Sequence, residues 1–90
     1  MTKTDLVAQV AQVAGITRAE AQRVVEAVFS VVRDALARGE KVTLTGFGTF
    51  EVRNYKARSG RNPQTGETIQ VPAHRRATFR AGKSLKDAVR

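Results

Sequence analysis

The chain has 90 residues, of which 41% are hydrophobic: room for one small domain, and too apolar for a disordered segment. Lys and Arg number 16 against 8 Asp and Glu, a net charge of +8 that points to a polyanionic partner. The absence of Cys excludes disulfides and thiolate-bound zinc, and a single His leaves no multi-histidine metal site, so neither a metal nor a cofactor is expected. MTKTDLVAQV lacks the apolar run of a signal peptide, and no stretch approaches the ~18 apolar residues of a membrane span. This is the composition expected of a soluble, intracellular, basic binding protein.

Thr2 followed by Asp5 resembles a capping box, and Leu6, Val10, Val13 and Ala14 then recur at helical spacing up to Gly15. Thr17 and Glu20 form a second box, with Ile16 placed to staple against Ala21. From there Ala21, Val24, Val25, Val28, Val31, Val32, Ala35 and Leu36 make a wide apolar stripe towards Gly39. The spacing predicts a helix of ~21 residues, ~30 Å long. Phe29 widens the stripe beyond what a lone surface helix carries.

After Gly39 the period drops to two. Val42 and Leu44 alternate with Lys41 and Thr43, Thr45-Gly46-Phe47-Gly48-Thr49 reads as a turn, and Phe50 and Val52 resume the alternation. The Gly-x-Gly is not a phosphate loop, because no Lys-Ser/Thr follows it and no helix opens there. Residues 53–76 hold only Tyr55, Ile69 and Val71 as sizeable apolar groups, and Asn62-Pro63-Gln64-Thr65-Gly66 is a turn. The segment is expected to form a solvent-exposed two-stranded ribbon. Ala77-Thr78-Phe79 returns the chain to the sheet, and residues 83–90 make a short final helix.

Charge is segregated. Lys3, Arg18, Arg23, Arg33, Arg38 and Lys41 are balanced within residues 1–52 by Asp5, Glu20, Glu26, Asp34, Glu40 and Glu51. Residues 53–90 carry the other ten basic side chains against only Glu67 and Asp87, so this part supplies the polyanion-binding surface. Without the ribbon about 66 residues remain for a core, and domains below roughly 70–80 residues usually need a staple or a partner copy. A dimer is therefore expected, with Val28, Phe29, Val32, Leu36, Leu44, Phe47, Phe50 and Phe79 in its core.

The strings Gly46-Phe47-Gly48-Thr49-Phe50, Arg58-Ser59-Gly60-Arg61-Asn62-Pro63-Gln64-Thr65-Gly66 and Phe79-Arg80-Ala81-Gly82-Lys83-Ser84-Leu85-Lys86 resemble, along the whole chain, the HU and integration-host-factor family of histone-like bacterial DNA-bending proteins. The resemblance favours the HU type; a sequence-specific integration-host-factor type is the alternative. It implies an α+β fold and an intertwined dimer, whether of two identical chains or with a sister subunit. Residues 1–38 would be the helical dimerisation part, 41–52 and 77–80 a three-stranded antiparallel saddle, 53–76 the protruding arm and 83–90 the final helix.

The resemblance also implies roles. Arg53, Lys56, Arg58, Arg61, Asn62, Pro63, Gln64, Arg75 and Arg76 would be the DNA-binding arm, with Pro63 wedging between base pairs of double-stranded DNA. Lys3, Arg18, Arg80, Lys83 and Lys86 would hold flanking phosphates from the body. The expected setting is the cytoplasmic nucleoid, where such a protein condenses DNA. The chain departs from the family pattern at Tyr55, where a long polar or charged residue is usual, and at Arg76-Ala77, where many members have Val-Pro. His74 reads as a solvated arm residue, because nothing pairs it with a nucleophile. No paired carboxylates or nucleophile–base set suggests an enzyme. An RNA-binding module lacks its aromatic strands and GXXG loop, and a membrane-surface helix is disfavoured by acids mixed among the bases.

Overall fold

The computed structural model describes residues 1–90 as α1 (Lys3–Ala14), α2 (Arg18–Ala37), β1 (Val42–Leu44), β2 (Gly48–Tyr55), β3 (Arg58–Arg61), β4 (Thr68–Val71), β5 (His74–Ala81) and α3 (Lys83–Val89). They fall into two compact units, Met1–Ala35 and Leu36–Arg90.

In the first unit both helix starts are set by local hydrogen bonds. Thr2 Oγ1 accepts from the Asp5 amide at 3.3 Å while Asp5 Oδ2 accepts from the Thr2 amide at 2.9 Å. Hydrogen bonds from Thr2 to the carboxylate, the backbone one first, hold the Asp5 carboxyl below its ordinary range. Thr17 and Glu20 repeat the arrangement: Glu20 N–H donates to Thr17 Oγ1 at 3.1 Å and Thr17 N–H to Glu20 Oε1 at 3.3 Å. Each cap satisfies amides that a helix start otherwise leaves orphaned. Between the helices Gly15 takes the left-handed conformation at φ 69°, and the Ile16 amide reaches back to Ala11 O at 3.0 Å. Ile16, Leu6 and Val10 pack against a small core of Val7, Ala11, Ala21 and Val25.

The second unit is built on an antiparallel sheet in the order β1-β2-β5. Val42 lies opposite Phe50 and Leu44 opposite Gly48, while Phe50 lies opposite Phe79. The link from β1 to β2 is tight: Phe47 N–H donates to Leu44 O at 2.9 Å, with Gly46 at φ 85°. Phe79 packs its ring 4.7 Å from Phe50 and 5.4 Å from Phe47, centroid to centroid. Gly48 is what lets that ring in, because a Cβ there would stand 2.5 Å from Phe79 Cζ and 2.6 Å from Arg80 O.

The sheet reaches further than the sequence suggests. An end at Val52 and Ala77 is expected, yet β2 and β5 stay paired for three more positions, through Arg53–Arg76, Asn54–Arg75 and Tyr55–His74. The break comes at 56–57 and 72–73, where Pro72 has no N–H for the ladder. Beyond it β3 and β4 form a separate two-stranded sheet, Arg58 facing Val71 and Arg61 facing Thr68. Counting three residues on from Tyr55 and three back from His74 arrives at Arg58 and Val71, so the hairpin keeps one register across the interruption.

Neither unit hides its large apolar side chains. The buried hydrophobic residues are Val7, Ala11, Ala21, Val25 and Ala35, all valine or alanine. Val28, Leu44 and three of the phenylalanines are exposed, with Phe29 at 48%, Phe47 at 47% and Phe79 at 42%. Val32, Leu36 and Phe50 are half-buried. Surface of this kind marks an interaction site. Purified protein is expected to sediment as a dimer and to unfold at a midpoint that rises with protein concentration; a monomer persisting across a wide dilution series would contradict this. Gly48→Ala should lower stability by about 1–3 kcal/mol, the usual penalty for overpacking, as read by urea denaturation.

Candidate nucleic-acid interface

The two-residue alternation of β2 and β5 sorts the side chains of the sheet. One face carries Val42, Leu44, Phe50, Val52, Ala77 and Phe79; the other carries Thr43, Thr49, Glu51, Arg53 and Tyr55 with His74, Arg76, Thr78 and Arg80. The second face is polar and basic. Arg53 and Arg76 stand directly opposite each other, a like-charge pairing that destabilises a sheet unless an anion lies between or above them. Glu51 offsets this in part, its Oε1 lying 3.5 Å from Arg53.

Arg75 departs from its expected place among the DNA-contacting arm residues. It shares the Phe50–Phe79 face with its cross-strand partner Asn54, and its Nη2 donates to Leu36 O at 3.3 Å and Ala37 O at 3.2 Å. Those are carbonyls of the last turn of α2, where intrahelical donors run out; Leu36 O also accepts from the Gly39 amide at 2.9 Å. A cation at a helix C-terminus is favourable, and strand parity sends Arg75 there while Arg76 goes to the basic face.

In the arm, Arg58 and Arg61 lie on opposite faces of the β3–β4 pair, since three positions separate them. Ser59 and Gln70 share a face and are joined by a 3.3 Å hydrogen bond. The tip is closed by Asn62 N–H to Glu67 O at 2.8 Å and Gly66 N–H to Asn62 O at 2.7 Å. Asn62 Oδ1 accepts from the Gln64 amide at 2.9 Å, so this side chain shapes the turn. Gly66 at φ 75° supplies the reversal. Pro63 and Gln64 are exposed at the extremity.

The body cations are differently engaged. Lys3 Nζ lies 3.1 Å from Glu26 Oε1, and this hydrogen bond, followed by that from Gln22, holds the Glu26 carboxyl below its ordinary range. A phosphate reaching Lys3 must compete with that carboxylate. Arg18 opens α2, Lys83 opens α3 and Lys86 lies in its last turn, all three exposed. Lys83 sits at the positive end of a helix, where a cation gains nothing from the backbone.

In the sequence Tyr55 and His74 read as separate features, one a departure from the family pattern and the other a solvated residue. The structure brings them together: their rings stack at 4.9 Å with an 8° interplanar angle, and Arg76 Cζ lies 5.9 Å from the Tyr55 centroid. Counting the Phe50–Phe79 register outwards leads to this pairing.

A basic sheet face running into an arginine-bearing arm tipped by an exposed proline defines a polyanion-binding protein. The chain belongs to the family of bacterial DNA-binding proteins, whose model matches residues 1–90. It is 56% identical over 90 residues to DNA-binding protein HU of Staphylococcus aureus (strain COL), covering all of both chains. HU of Geobacillus stearothermophilus is 50% identical over the same full length. Among solved structures it resembles the Anabaena HU–DNA cocrystal structure, with a TM-score of 0.88 and 45% identity over 99% of this chain and 97% of that one.

An exposed lysine acting through charge alone has a distinct signature. Lys83→Ala should weaken binding to all duplex sequences alike and flatten the slope of log K against log salt by about 0.9 for each phosphate that is no longer neutralised. Titrations at several salt concentrations on two unrelated duplexes would check both; a weakening confined to one sequence would mean base readout.

Proposed function

We propose that this protein binds double-stranded DNA with little sequence preference and bends it, acting as a dimer whose two arms enter the minor groove. It is an architectural protein and not an enzyme, and its place is the bacterial nucleoid. The observation that carries the reading is the arm itself: one register of paired strands, basic side chains along it, and Pro63 exposed beyond the last paired residues. Full-length identity to HU proteins supports it.

In this reading Arg53, Arg76 and Arg80 meet phosphates from the sheet, and Lys56, Arg58, Arg61 and Gln64 follow the groove from the arm. Lys3, Arg18, Lys83 and Lys86 take the flanking backbone, which bending draws towards the body. Pro63 enters a base step. Minor-groove proteins, HU and integration host factor among them, insert apolar wedges that partly unstack a step at a cost of a few kcal/mol, offset by the contacts the bent DNA makes. A proline suits the task because its ring presents apolar surface without a backbone N–H left wanting a partner.

The wedge and the turn make different demands on Pro63. If it only shaped the turn, Pro63→Ala would change stability by well under ~1 kcal/mol and leave bending intact. As a wedge its removal takes away most of the inserted group while the arginines still hold phosphate. Pro63→Ala is therefore expected to keep the dimer and much of the salt-dependent affinity for plain duplex, yet to bend DNA far less, as read by energy transfer between labelled duplex ends. Bending equal to the parent would remove Pro63 from the mechanism.

A further inference from the structure

At the arm root a cleft of about 350 Å³ is lined by Tyr55, Lys56, Ala57, Arg58, His74 and Arg76. Three of the six are cations and none is a carboxylate. We propose that this cleft binds a DNA backbone phosphate, and that His74 Nε2 is a contact to that phosphate only when the imidazole is protonated. The inference rests on the DNA-binding reading above and adds to it a site and a proton requirement.

The Pro72 contact leaves Nε2 as the free ring nitrogen. His74 Nδ1 lies 3.0 Å from Pro72 O. A carbonyl can only accept, so in the neutral ring that contact places the proton on Nδ1 and leaves Nε2 with a lone pair. In that form Nε2 offers nothing to a phosphate oxygen. One added proton turns Nε2 into a charged donor without moving the ring, whose plane is kept by the Tyr55 stack.

The groups around the ring favour this outcome once an anion arrives. Tyr55 covers it from β2, Lys56 and Arg58 approach from the start of the arm, and Arg76 follows it on β5. Arg75 is directed to the other face, towards the α2 carbonyls. Glu51, on the same face but four positions along β2 from Tyr55, is held by Arg53. With no carboxylate lining the cleft, a bound phosphate supplies the negative charge for both the cations and the imidazolium. Linkage then runs both ways: DNA promotes protonation of His74, and protonation tightens DNA binding.

Histidine ordinarily titrates between pH 5 and 8, so affinity should rise as pH falls through that interval. A one-unit change in the imidazole titration on binding corresponds to about tenfold in affinity per arm. Binding of a plain duplex is measured by fluorescence anisotropy at fixed salt and pH 7.5, 6.5 and 5.5, for the parent and His74→Gln. The parent is expected to tighten by about threefold to tenfold over this range, and His74→Gln to bind DNA with a nearly flat response. In parallel, NMR titration of the single imidazole in the unmodified protein should move to higher pH when duplex is added. A pH response in His74→Gln equal to that of the parent, a flat response in the parent, or an imidazole titration unmoved by DNA overturns the proposal. Failure of both proteins to bind at every pH would instead overturn the DNA-binding reading, and the site with it.

Discussion

The register of β2 against β5 is the constraint on which both surfaces of the sheet depend. Phe50 opposite Phe79 puts the aromatic cluster on one face and Arg53, Arg76 and Arg80 on the other. A slip of one residue on either strand would send that strand's side chains to the wrong side. The cluster itself resists the slip. The Phe79 ring occupies the space left by the missing Cβ of Gly48, and Gly82 N–H donates to Phe47 O at 2.8 Å where β5 ends. Aromatic packing on one face thus fixes the position of every arginine on the other. The same register continues past the break into the arm, so arm tip, arm root and sheet are set by one pairing.

Shortage of core explains why so much apolar surface is left over. Valine and alanine cores bury little area per residue, and at ~25 cal/mol per Å² they contribute far less than buried phenylalanine would. The phenylalanines stand instead on surfaces that a second copy of the chain can cover. A dimer would bring two chains of +8 together, which self-repulsion opposes. The ion pairs Lys3–Glu26 and Arg38–Glu40 are exposed and contribute little to stability. Residues 53–90, with two acids among ten bases, have almost no internal means of neutralising their charge. A phosphate backbone supplies it.

What could be read from the sequence was local. Thr2 with Asp5, Thr17 with Glu20 and the Asn62–Gly66 turn each involve residues within five positions, and each forms as its chemistry dictates, while Ile16 packs against the small core that contains Ala21. The direction of Arg75 and the stacking of Tyr55 on His74 were hidden, because both depend on pairing across a long hairpin. Adjacent arginines look equivalent in a sequence. Strand parity makes Arg76 part of a basic face and Arg75 a cap for the last carbonyls of α2. Composition likewise placed the end of the sheet where apolar residues stop, at Val52 and Ala77. Backbone pairing ignores that change and runs on until Pro72 interrupts the supply of donors.

The positions that break local rules are each resolved by something outside the chain. Arg53 faces Arg76 across the ladder, Lys83 sits at the wrong end of α3 for its charge, and large aromatic side chains stand in solvent. Each is unfavourable in the isolated chain, and sequences otherwise tend to agree with their fold at every level. The Arg53–Arg76 pairing ceases to be a conflict when an anion lies over the basic face, the Lys83 placement when a phosphate neutralises that side chain, and the apolar exposure when a second copy covers the phenylalanines. The two remedies act on opposite sides of the β2–β5 sheet. A ligand on the arginine face therefore need not displace a second copy laid over the aromatic one, and a single small sheet has room for both.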